Sequence, residues 1–258
     1  MNEAELLFTG LLECSRTSLY TGGRQKLPEG KGGVIAGVLR RRIKGEPLQY
    51  ILGRTEFMGL DFRVTSDVLI PRPETEILVE TVLGYAGKAG ARPRILDIGT
   101  GSGCVAVSLA YYLPQSAVCA VEISAAALQV ARENASANRC RVDFLNADLF
   151  PPGDGEFDIV VSNPPYIPDG ELGSLQREVL FEPRQALSGG DDGLDFYRRI
   201  CAGCAGRLVS SGLLIVEIGY GQAQDVRALI SSVPGMKVED TVKDYAGIER
   251  VVVARRQF

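Results

Sequence analysis

The chain contains no histidine. That absence excludes histidine-based triads, histidine metal sites and histidine general bases together. No apolar run approaches the roughly 20 residues that cross a bilayer as a helix. There is no internal repeat and no low-complexity tract. Nor is there an excess of positive charge: 28 Lys and Arg stand against 32 Asp and Glu, for a formal net charge of -4. A nucleic-acid backbone is therefore not the expected main partner. The one basic run, Arg40-Arg41-Arg42, reads as a solvated helix face. Cysteine is sparse, with six in all. The close pair, Cys201 and Cys204, falls inside a helical pattern without a second pair or a histidine to complete a metal site. The cysteines are expected to be packing residues, and no metal is expected. The acidic start, Met1-Asn2-Glu3-Ala4-Glu5, argues against a secretory signal and for a cytoplasmic location.

What is present is a chain of 258 residues, 45% of them hydrophobic, enough for a small domain beside a larger one. Residues 1 to about 45 read as helical, with a Gly- and Lys-rich loop around Gly22 to Gly33. Leu6, Leu7, Leu11 and Leu12 form one apolar face; Val34, Ile35, Val38, Leu39 and Ile43 form another. Tyr50 to Val64 reads as a hairpin turning near Gly59. The prolines of Ile70-Pro71-Arg72-Pro73 enforce an extended connector, and an amphipathic helix runs from Glu74 to Tyr85. From Arg94 onward strands and helices alternate. Strands are expected at 94–98, 117–123, 142–145, 157–162, 213–218, 236–240 and 249–254. Helices are expected at 104–113, 124–137, 194–209 and 222–231. This spacing predicts an α/β fold, a mostly parallel seven-stranded sheet with both faces covered. Its ligand site belongs at the carboxyl ends of the strands, at the switch point. The expected division is 1–48 as an N-terminal helical domain, 49–73 as hairpin and proline-rich connector, and 74–258 as the main domain.

Two motifs carry chemistry. The first strand runs into Asp97-Ile98-Gly99-Thr100-Gly101-Ser102-Gly103, whose alternating glycines let the backbone turn sharply and approach a ligand closely. An acid just before the first glycine would repel a pyrophosphate and favour a cationic ligand carrying an ammonium and a sulfonium. Glu122 ends the second strand, where an acid can accept both hydroxyls of a ribose; Ile123 follows it. The Asp148-Leu149 corner follows the third strand, where a carboxylate could accept from an adenine amine. Each acid alone reads as a solvated loop residue. Together, each at a strand's carboxyl end beside one cleft, they describe a site for S-adenosylmethionine. The second motif is Asn163-Pro164-Pro165-Tyr166. Two consecutive prolines cannot continue a central strand, so the chain leaves the sheet in a stiff extended path. That path presents an amide, the bare Pro164 carbonyl and an aromatic face, a set suited to holding a planar NH2 group. The same four residues would also serve as a rigid turn, and the motif alone does not decide between the two.

Taken together, the two motifs resemble those of class I, Rossmann-like S-adenosylmethionine-dependent methyltransferases acting on planar nitrogens. Within these the chain resembles the HemK/PrmC family, the peptide-chain-release-factor glutamine N5-methyltransferases. Further segments agree in order from Glu46 onward: Glu46-Pro47-Leu48-Gln49-Tyr50-Ile51-Leu52-Gly53, Leu69-Ile70-Pro71-Arg72-Pro73-Glu74-Thr75-Glu76, Phe181-Glu182-Pro183, Asp192-Gly193-Leu194-Asp195-Phe196-Tyr197 and Glu217-Ile218-Gly219. The resemblance implies that Gly99 to Gly103, Glu122 and the Asp148-Leu149 corner hold S-adenosylmethionine, leaving S-adenosylhomocysteine as product. It implies that Asn163 touches both cofactor and substrate, and that Asn163 to Tyr166 cradle a release-factor glutamine. The family commonly has Asp where this chain has Glu122. The first 45 residues are short and divergent for its N-terminal domain. Rival readings are a glutamine methyltransferase acting on a ribosomal protein, an adenine-N6 methyltransferase acting on nucleic acid, a non-enzymatic S-adenosylmethionine-binding adaptor and a nucleotide-dependent oxidoreductase. The absence of a target-recognition insertion and of net positive charge disfavours the nucleic-acid enzyme. Neither a membrane nor a nucleic-acid partner is expected.

Overall fold

The computed structural model describes residues 2–22, 26–27, 29–87 and 92–258. The N-terminal part is helical, as expected: α1 Glu3–Leu12, α2 Arg16–Thr21, α3 Lys31–Ile43 and α4 Leu48–Leu52. A capping box starts α1, with Asn2 accepting from the Glu5 N–H and Glu5 accepting from the Asn2 N–H. The Gly- and Lys-rich loop ends before Lys31, and its residues 23–25 and 28 lie outside the described residues. The two apolar faces are narrower than drawn. Leu7, Val38 and Leu48 form a small core, and Ile35 is buried, but Leu6, Val34, Leu39 and Ile43 are exposed. A layer this thin covers one stripe of each helix rather than a broad face.

Tyr50 belongs to α4, not to the hairpin. Gly53, at φ 72°, stops that helix. Burial of Leu48 and Tyr50 favours the short helix, and the Tyr50 hydroxyl donates to the Val68 carbonyl at 2.5 Å. The hairpin is β1 Arg54–Phe57 and β2 Leu60–Arg63. Its turn, Met58-Gly59, has both φ values positive (51° and 69°), the hand that matches strand twist. Phe57, Leu60 and Phe62 enter the main core. Buried Glu182 fixes the connector by accepting from the Ile70 N–H at 3.1 Å and pairing with Arg72. Pro73 then opens α5, Pro73–Ala86.

The main domain comprises β3 Arg94–Ile98, α6 Cys104–Tyr112, β4 Ala117–Glu122, α7 Ala125–Ala137, β5 Asp143–Asn146, β6 Phe157–Ser162, α8 Asp195–Cys204, β7 Leu208–Glu217, α9 Ala223–Ser231, β8 Met236–Lys243 and β9 Glu249–Arg256. Strand order is β5-β4-β3-β6-β7-β9-β8. All pairings from β5 to β7 are parallel; β9 runs antiparallel to both its neighbours. Alternate residues go to opposite faces. Ile95, Val161, Ile215 and Val253 pack under α5 and α6, while Leu96, Val160, Leu214 and Val252 pack under α8 and α9. The order reverses between β3 and β6, so the switch point lies where Ile98 pairs with Ser162.

One boundary moves substantially. The helix expected to reach Val209 ends at Cys204, and β7 begins at Leu208 rather than Leu213. Leu208 pairs with Phe157 and Leu213 with Ile159, so the intervening residues bulge. Gly212 has no room for a side chain there, since a Cβ would meet the Val209 carbonyl at 2.9 Å. Cys201 and Cys204 are buried in α8, and burial pushes their thiols up to about 11 and about 12. They are packing residues, as expected.

Candidate active site

The Gly-rich turn is stitched to the neighbouring strand: the Gly99 and Thr100 N–H groups donate to the Val121 carbonyl at 2.9 and 3.0 Å. Gly99, Gly101 and Gly103 all have positive φ (72°, 54° and 82°). Gly99 and Gly101 line a cavity of about 270 Å³, and a Cβ on either would meet no atom of the described residues within 4 Å. Bare backbone therefore faces the open space. Ile98, Val121, Glu122, Ile123, Asp148, Leu149, Asn163, Pro164 and Pro165 line the same cavity. The structure thus brings together the ends of β3, β4 and β6 with the corner after β5.

Glu122 is engaged by backbone on both oxygens. Oε2 accepts from the Gly101 N–H and Oε1 from the Ser124 N–H, each at 2.9 Å. Asp148 pairs with Arg199 at 2.6 Å. Asp97, Thr100, Ser102 and Gly103 lie outside the cavity lining. Asp97 is 1% exposed and accepts from the Thr100 hydroxyl at 2.6 Å. Burial pushes its carboxyl up to about 7, against the pull of that hydrogen bond. These residues shape the turn from behind.

Several wall residues were not anticipated. Asp67, Val68 and Leu69 come from the connector, Gln185 and Ala186 from the loop before α8, and Phe196 and Arg199 from α8 itself. Arg199 lies over the Phe196 ring at 5.5 Å. The spacing of Phe196 and Arg199 on one helix face is visible in the sequence, but nothing local says what that face meets.

Asn163 to Tyr166 leave β6 under tight control. The Ser162 hydroxyl donates to the Ile98 carbonyl at 2.8 Å, and Asn163 Nδ2 donates to Thr75 Oγ1 at 3.1 Å. Beyond the prolines, Gln222 Nε2 donates to the Tyr166 carbonyl at 3.0 Å. Gly193 and Gly219 crowd the same residue. A Cβ at Gly193 would meet the Tyr166 carbonyl at 2.4 Å, and one at Gly219 would meet the Tyr166 ring at 2.9 Å. Burial pushes the Tyr166 hydroxyl up to about 12.

Tyr166 does not line the first cavity. It lines a second cleft, of about 730 Å³, together with Leu6, Arg42, Leu48 and Gln49 from the N-terminal helices and Arg72, Glu74, Glu217 and Arg250 from later in the chain. The four residues therefore stand between two spaces. The cleft's arginines are already paired: Arg42 with Glu3 and Glu178, Arg72 with Glu182, and Arg250 with Asp244. In the sequence Glu217 stands out only as part of a resembling segment. Here it is a buried acid beside Asn163, with its carboxyl pushed up to about 7 by burial.

The fold and the cavity at its switch point define a class I S-adenosylmethionine-dependent methyltransferase. The chain shares this fold with a methyltransferase from Pyrococcus furiosus at a TM-score of 0.57, with 15% identity, over 86% of this chain and 100% of that one. The family models for the PrmC N-terminal domain and the methyltransferase small domain match residues 1–53 and 73–192. Release factor glutamine methyltransferase of Geobacter sulfurreducens is 47% identical over 255 residues, covering 98% of this chain and 88% of the relative. That of Moorella thermoacetica is 44% identical over 258 residues, covering 99% and 91%. The chain belongs to the release factor glutamine methyltransferase family.

Proposed function

We propose that this protein methylates the side-chain amide nitrogen of the glutamine in the Gly-Gly-Gln motif of peptide chain release factors, in the cytoplasm. The observation that carries the reading is the position of Asn163 to Tyr166 between a glycine-floored cavity and a separate cleft. The first space fits S-adenosylmethionine. Its floor is backbone, its walls Ile98, Val68, Leu149 and Phe196 suit a purine, and Glu122 offers acceptors for ribose hydroxyls. Asp97 places a carboxyl directly behind the turn that would face the ligand's ammonium. Asp148 and Leu149 would flank the adenine, and Ile123 the ribose. When bound, S-adenosylmethionine supplies a methyl on a positively charged sulfur.

The chain's own residues align and polarise the acceptor. A glutamine amide nitrogen is a poor nucleophile because its lone pair is shared with the carbonyl. Asn163 Oδ1 and the Pro164 carbonyl would accept its two N–H groups, favouring density on nitrogen as positive charge develops there. Pro165 stiffens the path, and the Tyr166 ring covers the amide face. Holding the reactants in line can supply about 7–11 kcal/mol of the barrier. The methylated amide is a strong acid and sheds its proton readily, which suits a chain without histidine.

Residues 1–48 would dock the protein substrate, 49–73 would join the parts and wall the cofactor cavity, and 74–258 would carry the chemistry. The paired arginines of the cleft support a polypeptide rather than a phosphate backbone, since none carries an unneutralised charge. The test is transfer of labelled methyl to purified release factors, ribosomal proteins and DNA side by side, with the modified residue located by mass spectrometry. Asn163→Ala should retain much of its cofactor affinity and lose about 10²–10³ in single-turnover rate. Methyl on adenine or on a ribosomal protein alone, or an active Asn163→Ala, would overturn the reading.

A further inference from the structure

An asparagine amide can present either its oxygen or its nitrogen to a ligand. The reaction proposed above needs the oxygen. Nothing in the Asn163 side chain alone chooses between the two. The choice is made by its neighbours: Nδ2 donates to Thr75 Oγ1 at 3.1 Å, in the first turn of α5. Thr75 is 2% exposed. The Thr75 hydroxyl and the Asn163 amide lie beside the carboxylate of Glu217, at the end of β7, and both favour its ionised form. Glu217 is itself 2% exposed, yet its Oε2 has no hydrogen-bond partner among the described residues, while the residue borders the second cleft. A buried carboxylate with an unpartnered oxygen is costly, so its place beside Asn163 calls for a reason beyond packing.

We propose that Thr75 and Glu217 are positioning residues: they hold Asn163 nitrogen-inward and oxygen-outward, and the Glu217 charge strengthens Oδ1 as an acceptor. This rests on the methyl-transfer reading of the site. With Glu217 as acceptor, the Thr75 hydroxyl donates to it and keeps a lone pair for Asn163 Nδ2. A flipped Asn163 would turn its oxygen toward a lone pair and an anion, so the acceptor-out state wins. The same negative charge lies near the nitrogen on which positive charge would develop.

The groups that act on Glu217 come from several elements around it. They are Glu74 and Thr75 on α5, Cys104 on α6, Asn163 and Tyr166 after β6, Tyr197 on α8 and Arg250 on β9. Arg250 favours the ionised form but is paired with Asp244 at 2.8 Å. Burial outweighs it, lifting the carboxyl to about 7. Below that pH Glu217 takes up a proton, the charge is lost and methyl transfer should slow. Asp97 titrates in the same range but lies behind the glycine turn. Rates must therefore be read at saturating S-adenosylmethionine.

The experiment is single-turnover methyl transfer by full-length enzyme to a release factor, from about pH 5.5 to about 8.5. Wild type should slow as pH falls through about 7 and level off about tenfold lower. Glu217→Gln keeps the shape and the acceptor oxygen; it should be about tenfold slower at the top of the range and nearly flat with pH. Thr75→Val should slow transfer about tenfold with cofactor affinity unchanged, and Thr75→Ser should restore it. The proposal is overturned if Glu217→Gln keeps the wild-type rate and acid limb, or if Thr75→Val turns over like wild type. An inactive Asn163→Ala alongside such results would sink only this inference. An active Asn163→Ala would sink the underlying reading instead.

Discussion

Glu122→Gln tests the cofactor site with little disturbance of shape. Both carboxylate oxygens already accept a backbone N–H at 2.9 Å, from Gly101 and from Ser124. Each oxygen keeps a lone pair for a ribose hydroxyl. In the glutamine variant one acceptor becomes an NH2, which must face either the Gly101 or the Ser124 N–H. The amide will set its oxygen toward one and forfeit the other, together with the charge-assisted bond that the ribose hydroxyl on that side donates. A lost hydrogen bond to a charged group costs about 1.5–3 kcal/mol. At about 1.4 kcal/mol per tenfold, S-adenosylmethionine affinity should fall roughly 10- to 150-fold. Titration calorimetry measures the change, and circular dichroism checks the fold. Affinity within about twofold of wild type, with an unchanged melt, would remove Glu122 from ribose binding. Glu122→Ala is the poorer test, because it also frees the Gly101 and Ser124 N–H groups and loosens the turn whether or not a ribose binds there.

Changing Cys201 and Cys204 together to Ser should lower unfolding free energy by about 1–3 kcal/mol per buried hydroxyl left unsatisfied, with methyl transfer retained; urea melts and activity assays read both. Asp97 has its folded pKa raised from 3.8 to about 7, so its contribution to apo-protein stability is full below about 4 and is lost as pH rises through about 7. Asp97→Asn should therefore flatten the decline in urea midpoint between those limits, and an unchanged slope would count against the buried acid. Deleting residues 1–46 should leave S-adenosylmethionine binding nearly intact and abolish efficient methylation of a release factor, as paired calorimetry and turnover would show. A cut near Leu69 would be uninformative, because it removes Phe57, Leu60 and Phe62 from the main core.

The order of strands and helices from Arg94 onward was legible because each face repeats with period two or 3.6 and glycines punctuate the ends. The site was legible where its chemistry is local, as in the Gly99–Gly103 turn, Glu122 and Asn163 to Tyr166. Misplaced boundaries have local causes too. Tyr50 looks like a strand residue, but Gly53 closes a helical turn around it. Ser210-Ser211-Gly212 looks like the end of a helix, but Leu208 is claimed by Phe157 across the sheet, and the serines bulge. Val34, Leu39 and Ile43 promise a core that four short helices are too few to build. Phe196, Arg199 and the connector wall reach the cavity from distant segments, and no local pattern marks that meeting. Glu217 did carry a signal: an acid closing an otherwise apolar strand, where burial is expected and charge is not.

The Asn163–Tyr166 segment explains why so much of the site is remote in sequence. Two prolines free the backbone of obligations to the sheet but also deprive it of donors, so it cannot anchor itself. Its rigidity is imported. Ser162 ties the near end to Ile98. At the far end the Ile167 N–H donates to Leu187, the Gly189 N–H donates to the Ile167 carbonyl, and Gln222 holds Tyr166. Gly193 and Gly219 exist as glycines because those supports must approach within contact of Tyr166. Thr75 and Glu217 fix the one side chain whose orientation the backbone cannot set. The segments Asp192-Gly193-Leu194 and Glu217-Ile218-Gly219 are thus parts of the same device as Asn163. They read as unrelated motifs until the sheet brings the ends of β6 and β7 side by side.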